Sequence, residues 1–359
     1  MSKIEELATL GQSIWYDDIS RRFVQSGELQ ALIAQGLRGI TSNPAIFEKA
    51  IAGSADYEEE IKKMSAAGLE TEAIYEELAL KDIAQAADLM LPVYTAADGQ
   101  DGYVSIEVSP KLAYDTAGTI AEARRLHKLL GRRNIMIKVP ATAQGLPALT
   151  ELIAAGLSVN VTLIFNIDNY RRVAAAYLEG LKALSRRGGQ LSGVSSVASF
   201  FVSRIDAAVD AELDKAGGAA LKGKTAIANA KNSYLAFKER FAGPEWDALA
   251  ARGARPQRLL WASTGVKNPA YPDTLYVDGL IGGPTVNTVP PATLKAFLDH
   301  GTAAPTLEKD SAWALEHLAQ LARLGIDLGT ITDRLQTEGV DAFGKSFENI
   351  MTAIRAKEA

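Results

Sequence analysis

Residues 135–165 read IMIKVPATAQGLPALTELIAAGLSVNVTLIF. The stretch opens on a strand candidate, 135–139, stopped by Pro140, and closes on another, 158–165 (SVNVTLIF). The residues between them read as helix, and Gly156 falls just past its end, where a left-handed residue is wanted. A strand, a crossover helix and a second strand in so short a space predict a parallel sheet covered by helices.

The same alternation extends in both directions. Strand candidates 13–18 (SIWYDD), 37–42 (LRGITS) and 103–108 (YVSIEV) precede the stretch, and 196–201, 258–263 (RLLWAS) and 285–289 follow it. Each is short, bounded by Gly, Pro, Asn or Asp, and several are rich in β-branched residues. Tyr170, Val173, Ala174, Tyr177, Leu178, Leu181 and Leu184 hold the spacing of one apolar helix face. Asn43-Pro44 makes a helix start, with Asn as cap and Pro in the first turn. Gly131 closes another helix as Gly156 does. Eight strands in alternation predict an α/β fold, a single (β/α)8 barrel over 1–359. Additional helix is expected between the second and third strands (74–90 especially), at 205–250, and as a C-terminal cover over residues 300–359. Segment 274–281 is assigned to helix before the eighth strand. No low-complexity linker or internal repeat divides the chain.

Composition narrows the chemistry. The chain has no cysteine, which excludes disulfides, thiolate nucleophiles and sulfur-ligated zinc. His127, His300 and His317 are scattered through helical segments with no paired ligand spacing, so no metal site is expected. A net charge of −5 argues against nucleic acid as a partner. No apolar run reaches a membrane span, and the N-terminus lacks a signal-peptide core. The expectation is a soluble cytoplasmic protein.

A charged side chain in a parallel barrel strand is conspicuous. Lys138 sits among apolar neighbours near the C-terminal end of its strand, where barrels carry their sites. Burial disfavours the ammonium form, and a neutral amine adds to a ketone to form a Schiff base. The plainer alternatives are a lysine snorkelling from the strand end or paired with a carboxylate. Asp17 and Glu107 occupy equivalent strand ends, although Asp17 would also serve as a helix cap and Glu107 as an ion-pair partner. Asn160 and Thr162 share one strand face and are expected in the same cavity as Lys138. Asn43 ends the second strand with an amide suited to a hydroxyl-rich ligand, or acts only as a cap. Ser199, Arg204, Ser263 and Lys267 follow the sixth and seventh strands, where serine hydroxyls, two cations and helix N-termini form a candidate phosphate cradle.

Taken in order, Thr41-Ser42-Asn43-Pro44, Ser105-Ile106-Glu107-Val108, the lysine strand 135–140, and Asn160-Val161-Thr162-Leu163 resemble the transaldolase family, Schiff-base aldolases of the pentose phosphate pathway. The run 261–269 (WASTGVKNP) is similar to its long actinobacterial and cyanobacterial branch, and the resemblance covers nearly the whole chain. It implies a cofactor-free barrel acting on ketose and aldose phosphates, and a homodimer. It assigns Lys138 as nucleophile, Glu107 as proton carrier through a bound water with Thr162, and Asp17 as the base at the C4 hydroxyl. Asn43 and Asn160 would hold the dihydroxyacetone unit. Fructose-6-phosphate aldolases of similar fold tend to carry Gln at Glu107 and Tyr at Phe201, so this chain has the transaldolase-like pair. Short transaldolases place an arginine where Gly265 stands, which leaves Lys267 as the second phosphate cation beside Arg204. Two other readings stay open: an aldolase that cleaves without transfer, and a non-catalytic sugar-phosphate barrel in which Lys138 and Glu107 are only an ion pair.

Overall fold

The computed structural model describes residues 1–358. Eight strands close into a barrel in chain order: β1 Gln12–Tyr16, β2 Gly39–Thr41, β3 Tyr103–Glu107, β4 Ile135–Pro140, β5 Val159–Ile164, β6 Ser196–Phe201, β7 Arg258–Ala262 and β8 Thr285–Val289. Every pairing is parallel, and β8 closes on β1 with Gln12 opposite Thr285 and Tyr16 opposite Val289. The expected (β/α)8 architecture is the one observed.

Strand limits differ from the sequence reading by one or two residues, and the differences fall at the functional end. β1 stops at Tyr16 rather than Asp18, and β2 runs only from Gly39 to Thr41. Asp17 and Asn43 therefore stand just beyond strand ends, where side chains are free to face the mouth. In β5 the register shifts between Val161 and Ile164, and Leu163 takes a φ of 62°. Such a bulge breaks the ladder locally. The carbonyl it releases is not left unpaired: Gln336, on the helix Leu328–Lys357, donates from Nε2 to Leu163 O at 2.9 Å.

Alternation along each strand sends every second side chain inward. Trp15 is the largest of these and is fully buried. Opposite it stands Gly39, where a Cβ would come within 2.4 Å of the indole ring, so the barrel interior accepts the tryptophan only because its neighbour has no side chain.

The extra helices fall where expected. Thr71–Ala96 occupies the long β2–β3 connection. The segment expected as continuous helix from 205 to 250 is three helices, Ser203–Ala216, Thr225–Arg240 and Pro244–Ala250, broken by Gly217 in the left-handed region and again at Gly243. Residues 301–310 are not helical, and the C-terminal helices are Ser311–Arg323 and Leu328–Lys357. The longer one packs against the helix Pro44–Ala52 after β2. Edge-to-face contacts from Phe47 to Tyr75 (5.9 Å) and Tyr75 to Phe347 (5.5 Å) tie it to both neighbours. This docking brings Phe343 over the C-terminal mouth of the barrel.

Candidate active site

The strand register builds the site. Glu107 on β3 pairs with Lys138 on β4, which pairs with Asn160 on β5, so three polar groups form one row across adjacent strands. Thr162 stands opposite Pro140, one step nearer the mouth. A cavity of about 690 Å³ opens there. Asp17, Asn43, Lys138 and Thr162 line it on one side. Ser199, Phe201, Arg204, Ser263 and Lys267 line the other.

Lys138 is buried, with its side chain 6% exposed. Its Nζ donates to the Ser42 carbonyl at 2.9 Å and lies 3.4 Å from Glu107 Oε2, too far for a well-formed charge-assisted hydrogen bond. Glu107 Oε2 has no hydrogen-bond partner, nor has Thr162 Oγ1 two strands away. Burial pushes the Glu107 carboxyl above its ordinary range, the Lys138 ammonium draws it back, and Asp17 adds to the rise. Glu107 faces neighbouring cavities beside β3 rather than the main one, and so approaches Lys138 from behind.

Asp17 accepts from Thr41 Oγ1 at 2.7 Å, and Thr41 meets Thr288 Oγ1 at 2.5 Å. Desolvation pushes the Asp17 carboxyl up, against the pull of the Thr41 hydroxyl and of the Lys138 and Lys267 ammonium groups. Asn43 does both things its position allowed: Oδ1 caps the helix Pro44–Ala52 by accepting from Ile46 N at 3.0 Å, while the residue lines the cavity.

Asn160 departs from expectation. It is fully buried beneath the cavity rather than on its wall, with Nδ2 donating to Ser105 Oγ at 3.2 Å and Oδ1 accepting from Ser199 Oγ at 2.7 Å. Two residues apart on one strand face, Asn160 and Thr162 stand in successive layers, Asn160 level with Lys138 and Thr162 with Pro140.

At the far wall Arg204 lies over the Phe201 ring at 5.7 Å, and burial draws its pKa down. Ser263, with φ at 55°, brings its hydroxyl within 3.0 Å of Ser203 Oγ. A side chain held in the left-handed region is an unfavourable conformation that surrounding contacts must maintain. Among the described residues, neither Arg204 nor Lys267 is paired with a carboxylate, so both cations remain free for a ligand.

Sequence reading missed Thr41, Thr288 and Phe343. Thr41 lies within a motif already singled out, and its inward position follows from strand alternation with Asn43. Phe343 carries no local signal: its place on an apolar helical stripe is that of any core residue. Among the described residues no group of three or more His, Cys, Asp or Glu is placed to hold a metal ion, and no helix is long and apolar enough to cross a membrane.

A closed parallel barrel with a buried, incompletely paired lysine near strand-end carboxylates defines a (β/α)8 barrel with a candidate active site at its C-terminal mouth. The model of the transaldolase/fructose-6-phosphate aldolase family matches residues 14–354, and the chain belongs to that family. It is 49% identical over 354 residues to a transaldolase of Neisseria gonorrhoeae, covering 99% of this chain and 100% of the relative. It is 46% identical over 366 residues to a transaldolase of Trichodesmium erythraeum, covering 98% and 96% of the two chains. Transaldolase 1 of Streptomyces avermitilis is 48% identical over 368 residues, covering 100% and 97%. Cyanobacterial and actinobacterial relatives thus stand among those similar to this chain over its full length.

Proposed function

We propose that this protein is a transaldolase that moves a dihydroxyacetone unit through a Schiff base on Lys138. The donor is sedoheptulose 7-phosphate or fructose 6-phosphate, and the acceptor is erythrose 4-phosphate or glyceraldehyde 3-phosphate. The observation that carries the reading is Lys138, buried at the mouth with one carboxylate beside it whose Oε2 has no hydrogen-bond partner. Full-length likeness to proteins named transaldolase supports it.

Lys138 passes a proton to Glu107, and the freed amine adds to the C2 ketone to give a carbinolamine. Glu107 delivers the proton with which the hydroxyl leaves as water, and an iminium forms. Asp17, deprotonated, takes the proton of the C4 hydroxyl. The C3–C4 bond breaks as its electron pair moves into the iminium, and an aldose phosphate departs. The enamine left on Lys138 attacks the carbonyl of the second aldose phosphate while Asp17 returns its proton to the oxygen that becomes the new C4 hydroxyl, and water then hydrolyses the new iminium. Thr162 assists the proton transfers, and Asn43 orients the dihydroxyacetone hydroxyls. Asn160 acts from below by holding Ser199. Arg204, Lys267, Ser199 and Ser263 bind the phosphate, with Phe201 as the wall beneath Arg204.

On the same reading the enzyme uses no cofactor, works in the cytoplasm within the pentose phosphate pathway, and forms a homodimer. It does not bind nucleic acid, in keeping with its net charge of −5. The chain is one domain with its C-terminal helices as a cover, since one apolar core runs from Ile4 to Ile354.

Borohydride reduction in the presence of fructose 6-phosphate, followed by peptide mass spectrometry, is expected to trap the dihydroxyacetone unit on Lys138. Labelling elsewhere, or none, would refute the mechanism. Fructose-6-phosphate aldolase activity is the second reading, because the family description spans both reactions. Free dihydroxyacetone released without an acceptor would favour it. The Glu107 and Phe201 pair favours transfer.

A further inference from the structure

Helix Ser203–Ala216 carries Arg204 in its first turn, and the same helix grips the loop that carries Lys267. At its start Ser203 N donates to Ser263 O at 3.0 Å. Farther along, Asp206 accepts from Tyr276 Oη at 2.9 Å and Asp210 accepts from Tyr271 Oη at 2.5 Å. The second oxygen of each carboxylate is also engaged, Asp206 by Ala226 N at 2.8 Å and Asp210 by Gly223 N at 3.0 Å. Gly223 has a φ of 69°, and a Cβ there would lie 2.8 Å from the Tyr271 ring, so the phenol is seated against bare backbone.

Lys267 belongs to the walls of two cavities. One is the sugar cavity with Arg204. The other, of about 670 Å³, is lined by Asp210, Asp214, Tyr271 and Tyr276. Asp214 there is paired with Lys222 at 2.7 Å, which leaves Asp206 and Asp210 as the carboxylates without a cation on the side of the exposed Lys267 ammonium away from the sugar. Tyr271 occupies the Asp210 oxygen that would otherwise compete for it.

We propose that Tyr271 is a positioning residue for the phosphate end of the substrate. Its hydroxyl fixes the Lys267 turn and masks Asp210, so that Lys267 faces the sugar cavity alongside Arg204. This rests on the reading of Arg204 and Lys267 as phosphate ligands. A lysine on an unanchored turn would be shared between the two cavities whose walls it joins.

The test uses the full-length enzyme, with KM for fructose 6-phosphate and the inhibition constant of inorganic phosphate as readouts. Tyr271→Phe keeps the ring on Gly223 and is expected to raise both constants about tenfold with kcat changed by less than about twofold. In a Lys267→Ala background the same substitution adds nothing, since it acts through Lys267. Adding Asp210→Asn to Tyr271→Phe removes the competing charge and restores most of the loss, an outcome a merely structural role would not produce. Unchanged constants in Tyr271→Phe, or equal losses with and without Lys267, would overturn the proposal. If Lys267→Ala alone leaves both constants unchanged, Lys267 is not a phosphate ligand and the underlying reading fails first.

Discussion

Both ends of the barrel bury charge, and they do so in opposite ways. At the N-terminal end Asp101 accepts from Ser13 Oγ at 2.7 Å, Trp15 Nε1 at 3.1 Å and Arg258 at 2.9 Å. Arg258 also donates to Ser13 Oγ at 3.0 Å and to the Gln100 carbonyl at 2.5 Å. Neither Asp101 nor Arg258 has a buried atom without a partner. At the C-terminal mouth Glu107 Oε2 and Thr162 Oγ1 are unpaired, and Lys138 stands 3.4 Å from its carboxylate. A buried charge by itself does not identify a site, nor does a single orphaned atom, since Gln12 Oε1 and Gln257 Oε1 are also unpaired; what marks the mouth is that its orphaned atoms flank a buried lysine beside an open cavity.

The comparison breaks most sharply at the two cations. Lys138→Met is expected to lower transfer activity by at least about 10⁴-fold, because the covalent step is lost rather than weakened, while the protein stays folded. An enzyme-coupled assay and a urea melt measure the two effects. Retention of more than a few per cent of activity would refute covalent catalysis by this residue. Arg258→Ala is the mirror case: it leaves Asp101 buried without its cation and should cost about 3 kcal/mol of stability, with kcat of the folded enzyme unchanged. A urea midpoint equal to wild type would mean that the lower network is not structural.

How far these differences could be read from sequence follows the range of the contacts. The barrel was legible because each strand–helix unit carries its own period and its own Gly or Pro stops, as at Pro140 and Gly156. Lys138 was legible because a lysine between isoleucine and valine has few structural excuses. The depth of Asn160 was not, since it is fixed by hydrogen bonds to Ser105 and Ser199 on neighbouring strands, 55 and 39 residues away. For the same reason Phe343 over the mouth, and the Asp210–Tyr271 tether, were invisible: they are products of helix docking, not of local pattern.

Next in size is the phosphate wall. Arg204→Ala should raise KM for fructose 6-phosphate about thirtyfold, the loss of one charge-assisted interaction of about 2 kcal/mol, and leave kcat within a few-fold. Steady-state kinetics at saturating acceptor measure it, and an effect on kcat alone would place Arg204 outside the binding site. Smaller still are two hydroxyl deletions of matched chemistry. Ser13→Ala opens the closed network and should cost about 1 kcal/mol. Thr162→Val removes a hydroxyl that has no partner and should cost nothing or stabilise slightly. Equal losses from the two in thermal melts would erase the contrast between the barrel ends.

Asp17→Asn probes the same contrast through pH, and its effect on stability is the smallest. The folded-state pKa of Asp17 is raised, chiefly by desolvation. A raised carboxyl binds more protons folded than unfolded between the two pKa values, so stability falls as pH rises through that window. Above the raised pKa the full cost of a buried carboxylate is present; below about pH 3.9, the ordinary aspartate value, it is absent. Asparagine keeps an acceptor for Thr41 and does not titrate. The stability of Asp17→Asn relative to wild type should therefore be greater at pH 8 than at pH 4 in urea melts. Carboxylates uncoupled from Asp17 cancel in that difference, and Glu107, whose rise Asp17 adds to, shifts it in the same direction; a difference that is flat or of opposite sign would mean that burial does not destabilise the Asp17 carboxylate.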